Sequence, residues 1–166
     1  MPLTQSTLPS VVPDWDVPFD VATAFANPQT LTATGYVNGI QAQVDIGVGR
    51  WIGKLVLDIS ALDLSSADET YRLHLLGSND AAFGNGNVEV LATQDFAAAT
   101  AGRLVPTIAP ASDAVPSPRK SASRFIVPVT NQRGIYVFRY LQLYLVAAGT
   151  TPSITLAAWL AAGLDP

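Results

Sequence analysis

The fifteen residues GIYVFRYLQLYLVAA, Gly134 to Ala148, constrain the fold more than any other part of the chain. At the two-residue period of a β-strand, Ile135, Val137, Leu141, Leu143 and Leu145 fall on one face. Tyr136, Phe138, Tyr140 and Tyr144 fall on the other. Only Arg139 and Gln142 interrupt the run. A strand apolar on both faces needs cover on both. One side is expected to be the core of a sandwich, the other an N-terminal arm or another subunit.

The same period recurs through most of the chain. RWIGKLVLDIS puts Trp51, Leu55, Leu57 and Ile59 opposite Lys54, Asp58 and Ser60, and TYRLHLLG puts Tyr71, Leu73 and Leu75 opposite Arg72 and His74. NVEVLAT, RLVPTI, SRFIVPV and SITLAAWLAAG add further short runs. LTATGYV and QAQVDIG flank Asn38-Gly39, a tight-turn dipeptide, and are expected to pair as a hairpin. DFAAATAG is read as one short helical turn. The result is an all-β chain of about eight strands in antiparallel sheets, with almost no helical pattern.

Residues 1–30 read differently. They carry Pro2, Pro9, Pro13, Pro18 and Pro28, which remove ladder donors and hold their predecessors extended. The division is therefore an extended arm over 1–30 and a β-sandwich domain over 31–166. The arm's Trp15, Phe19 and Phe25 are expected to anchor it on its own domain or on a neighbouring subunit. A second irregular stretch, PTIAPASDAVPSPRKSAS, leads into Arg119, Lys120 and Arg124. This basic cluster is read either as a solvated loop or as a contact for an acidic neighbouring surface. Trp15, Phe19, Phe25, Arg119, Lys120 and Arg124 are thus the candidate partner-binding residues.

Composition narrows the function. Charged residues make up 13% of the 166, about half the usual share of roughly 25%, which favours a chain whose surface is covered by a partner. The net charge of -4 argues against a nucleic-acid partner. The charge is uneven: residues 1–100 hold 11 acidic and 3 basic side chains (-8), residues 101–166 hold 2 and 6 (+4). With no cysteine, neither disulfides nor thiolate metal sites can form. The N-terminus lacks a signal-peptide pattern, and the longest apolar run, ITLAAWLAAGL, is too short to cross a bilayer. The expectation is a soluble product of the cytoplasm with no membrane contact.

Chemistry is sparse. His74, the single histidine, sits within a strand pattern and no serine lies in a nucleophile elbow. GVGR at Gly47 to Arg50 lacks the lysine and helix of a phosphate cradle and reads as a turn entering a strand. Ser65 or Ser66 is expected to cap the turn at Asp68-Glu69. SNDAAFGNG, with Asp80 as its lone carboxylate, makes a poor calcium loop. It reads as a turn begun by Ser78, Asn79 and Asp80 that drops Phe83 onto the sandwich end, with Gly84 and Gly86 supplying positive φ. No catalytic residue, metal ligand or cofactor is assigned, and the chain is not expected to be an enzyme.

LHLLGSNDAAFGNGNVEVLATQDF, followed by GIYVFRYLQLYLVAAGTTPSITLAAWL, resembles the capsid cement (decoration) proteins of tailed bacteriophages. The likeness covers roughly residues 40–162 and lies in the order of strands and turns. It implies a jelly-roll β-sandwich without enzymatic activity on the outer surface of the virion's head. There it would bridge subunits of the major capsid protein and associate with itself as a homodimer or homotrimer. The other reading of the residues is a carbohydrate-binding β-sandwich of a phage tail or receptor-binding protein. Trp51 and Trp159 weigh against it, because they fall in strand patterns where burial is expected.

Overall fold

A computed structural model describes residues 24–84, 87–97 and 123–162. Among these residues eleven strands run β1 (Ala24–Leu31), β2 (Gly35–Tyr36), β3 (Val44–Asp45), β4 (Ile52–Leu62), β5 (Thr70–Ser78), β6 (Val88–Ala97), β7 (Ser123–Thr130), β8 (Gln132–Arg133), β9 (Tyr136–Val137), β10 (Tyr140–Ala148) and β11 (Ile154–Ala162). One sheet has the order β1-β11-β4-β7. The other has the order β2-β10-β5-β6, with β3 also on β10, and β8-β9 is a separate hairpin. Every pairing is antiparallel. The chain is an all-β antiparallel sandwich, as its two-residue periodicity requires.

The core lies where the alternation puts it. Leu55, Leu57 and Ile59 of β4 and Leu156, Ala158 and Leu160 of β11 face Tyr71, Leu73 and Leu75 of β5 and Leu141, Leu143 and Leu145 of β10. A smaller apolar cluster of Val56, Trp159 and Ala161 lies on the outer face of the first sheet. Burying a Leu-sized side chain contributes about 1.5–3 kcal/mol, so these rows supply most of the drive to fold.

Three expectations are corrected. The boundary at residue 30 falls inside β1, an edge strand on β11. Pro28 is tolerated there because register shifts leave it without a ladder partner. The expected hairpin across Asn38-Gly39 does not form. Both residues do adopt positive φ, 57° and 77°, but β2 and β3 pair in succession with β10 instead of with each other. The gap between them is filled by the buried Gln142, whose Nε2 donates to Gly39 O at 2.7 Å and whose Oε1 accepts from Leu143 N at 2.7 Å. The helical turn expected in DFAAATAG begins as strand, since β6 continues to Ala97; the rest of it lies outside the described residues.

The long run from Gly134 is not one strand either. It breaks at Phe138-Arg139 into β9 and β10. Phe138 turns inward and packs over Gly77, where a Cβ would meet its ring at 3.0 Å. The cover expected over the outer face of β10 comes partly from its own chain, with Tyr36 meeting Tyr144 edge-on at 5.0 Å.

At the far end, the buried Tyr71 hydroxyl donates to Asp63 O (2.7 Å) and accepts from Ser153 N (2.9 Å), tying two connections together. Burial, first of all, pushes its pKa up from 10.0 to about 12. The neutral phenol therefore stabilises the fold fully below pH 10, and that contribution is lost as pH rises through 12. Tyr71→Phe should cost about 1–2 kcal/mol at pH 7 and shrink the loss of stability between pH 10 and 12, measured by urea unfolding across that range.

Candidate functional site

The connections 46–51, 79–84 and 131–139 meet at one end of the sandwich, because Asp45, Ile52, Ser78, Thr130 and Tyr140 all sit at strand ends there. Two asparagines brace this end. Asn131 is fully buried; its Oδ1 accepts from Trp51 N at 2.7 Å, and its Nδ2 donates to Gly49 O and Phe138 O, both at 2.8 Å. Asn79 holds the other side of the strand break, donating to Val137 O at 3.0 Å and accepting from Arg139 N at 2.9 Å. Each amide replaces ladder bonds that the break removes.

SNDAAFGNG is therefore a structural turn over its described part. Asp80 accepts from Ala82 N (2.9 Å) and Gly84 N (3.2 Å), and Phe83 is buried with its ring edge-on to Tyr36 at 6.2 Å. The positive φ falls on Phe83, at 50°, and Gly84 does not carry it; Gly86 lies outside the described residues. GVGR is likewise a turn. The Gly47 amide donates to Asp45 Oδ1 at 2.9 Å, so a carboxylate of the chain itself takes the place of an anion.

Side chains protrude from this braced end. Val48 is 95% exposed, Ile135 is 87% exposed and Tyr136 is 66% exposed, and Ile52, the first residue of β4, is half exposed. Two ion pairs lie near them, Arg139 with Asp45 at 2.7 Å and Arg133 with Glu89 at 2.9 Å, and Arg50 is exposed on the connection that carries Val48. Arg139, first through its hydrogen bonds, holds the Asp45 carboxyl below the usual range. Apolar tips among neutralised ion pairs suit adhesion by desolvation.

His74 bonds Thr93 Oγ1 through Nδ1 at 2.9 Å on the outer face of the second sheet. Both oxygens of the neighbouring Asp95 accept from Arg72, at 2.7 and 3.1 Å. Burial, then the Arg72 charge, lower the imidazole's pKa, so the ring is neutral at pH 7 and works as a cross-strand pair with Thr93. The serine caps are reversed: Asp63 accepts from Ser65 N and Glu69 from Ser66 N, each at 2.9 Å. Among the described residues no group of three or more His, Cys, Asp or Glu is placed to hold a metal ion, and no helix is long and apolar enough to cross a membrane.

Of the candidate partner-binding residues, Phe25 is fully buried in the core: it anchors β1 on its own domain, one of the two anchorages expected for the arm's rings, and its assignment as a contact for a partner is corrected. Arg124 is bidentate to Asp58, at 2.7 Å to each oxygen, with its guanidinium 5.4 Å from the Trp159 ring centroid. Trp15, Phe19, Arg119 and Lys120 lie outside the described residues. Sequence reading missed Val48 and placed Ile135 and Tyr136 within a covered strand; the flanking Gly47, Gly49 and Gly134 were the only local sign of protruding turns. Comparison with protein-family models finds no match, and neither does comparison with curated proteins.

Proposed function

We propose that the protein is a structural virion protein, a capsid cement protein that binds the outer surface of a phage head and bridges major capsid subunits. The observation that carries this reading is the braced end, where rigid connections present Val48, Ile52, Ile135 and Tyr136 to solvent. A cement protein needs such a patch, since small contacts repeated around a symmetric shell sum through multivalency. The strand order supports a jelly roll: four strands of one sheet, β1-β11-β4-β7, face β2/β3-β10-β5-β6 of the other, as two interlocked Greek keys require. The carbohydrate-binding alternative gains nothing from Trp159, which is buried, or from Trp51, which packs against the core.

Purified protein mixed with undecorated heads should co-sediment saturably at a fixed ratio to capsid subunits. Val48→Asp, on an open turn, should leave the unfolding midpoint unchanged and weaken head binding about tenfold, the loss that burying a charge in place of one apolar side chain implies. Equal binding by the variant removes Val48 from the contact, and no binding by either chain at tens of micromolar rejects the reading.

A further inference from the structure

The sandwich end carries a second feature, on the flank where β6 is the last strand of its sheet among the described residues. Two depressions lie side by side there. One, of about 450 Å³, is lined by Val90, Leu91, Ala92 and Thr93 of β6 with Gln132 and Arg133. The other, of about 370 Å³, is lined by Glu89, Arg133, Gly134, Ile135, Tyr136 and Phe138. Arg133 forms the ridge between them, with Nη1 donating to Val90 O and to Glu89 Oε2, both at 2.9 Å. Val90, Ile135 and Tyr136 leave apolar surface open along this groove.

The chain contains a segment of matching pattern. In DWDVPFDV, residues 14–21, apolar Trp15, Val17, Phe19 and Val21 alternate with Asp14, Asp16, Pro18 and Asp20. Extended geometry puts the apolar residues on one face and the acids and proline on the other. Trp15 and Phe19 would then stand about 13 Å apart, two aromatic anchors for two depressions.

We propose that residues 14–21 of a second copy of this chain dock, extended, in this groove along β6, with Trp15 and Phe19 seated on either side of Arg133. The reach of the chain selects the second copy. β1 begins at Ala24 on the opposite flank, three inter-strand spacings of about 4.8 Å and one sheet spacing of about 10 Å from β6. That is about 17 Å in a straight line through the core. Five residue steps from Ala24 to Phe19 span at most about 18 Å, whereas the way round the outside of the sandwich, three strand spacings and then the sheet spacing, is about 24 Å. A chain therefore cannot seat both rings in its own groove, whereas a neighbour's can.

The absence of cysteine makes the test clean. Val17→Cys and Val90→Cys are introduced into separate full-length copies of different tagged mass, mixed without any capsid and oxidised. The expected product is a mixed disulfide dimer, and its yield should fall at least tenfold when Trp15→Ala and Phe19→Ala are added to the first copy. In the wild-type chain the same two changes should raise the self-dissociation constant about 100-fold by sedimentation equilibrium. No mixed dimer overturns the proposal, as does a doubly substituted chain that closes its disulfide within itself. Because no head is present, this outcome is independent of whether the protein binds a shell.

Discussion

Asn131→Ala is expected to cost about 4 kcal/mol, enough to lower the urea midpoint by about 2 M at the slope usual for a domain of this size. The side chain accepts from Trp51 N and donates to Gly49 O and Phe138 O, so one amide ties the connection into β4 to the break between β9 and β10. Alanine leaves the Trp51 amide and the Phe138 carbonyl without these partners in a buried place, at about 1–3 kcal/mol each. Asn131→Leu, with the same branching of heavy atoms, should be equally harmful because it fills the space and restores no hydrogen bond. A leucine variant as stable as the parent would mean that filling the space, and not bracing the backbone, is what Asn131 does.

Gly149→Ala should be the most damaging glycine replacement among the described positions with positive φ. Its φ of 108° is strained for any L side chain, and a Cβ would lie 2.7 Å from Glu69 Cα, 2.8 Å from Asp68 O and 2.9 Å from Glu69 N. These are backbone atoms of the connection before β5, pinned by Asp68 accepting from Thr150 N and Thr150 Oγ1 at 3.0 Å. Strain and overpacking together come to about 3 kcal/mol. Gly47 also has positive φ, but a Cβ there meets nothing within 4 Å, so Gly47→Ala should cost only about 1 kcal/mol. Paired thermal melts read the contrast, and equal losses at the two sites would refute the close-packing argument.

The sandwich was legible because alternation is local. The core faces of β4, β5 and the second half of the long run follow from the apolar residues themselves, as does the burial of Trp159. What escaped depends on partners distant in sequence. Nothing near Phe138-Arg139 announces a break, since the amides that replace its ladder bonds come from Asn79, up to 60 residues earlier, and from Asn131. The Asn38-Gly39 signal correctly marked a turn, yet its flanking residues found a longer partner in β10, with Gln142 bridging the interval. Phe25 was assigned to the arm because prolines dominate its surroundings, and an edge strand tolerates Pro28 where a central one would not. The exposed tips were invisible for the same reason as the break: Ile135 and Tyr136 look like part of one long covered strand until the chain is seen to turn at Gly134 into the short β8-β9 hairpin.

Cryo-electron microscopy of undecorated heads saturated with the protein tests the account most directly. Adhesion through the braced end predicts ordered density at repeated positions on the outer shell, with the turns bearing Val48 and Ile135 against or between capsid subunits. Heads that stay bare at saturating protein, or copies attached with that end pointing into solvent, would contradict it.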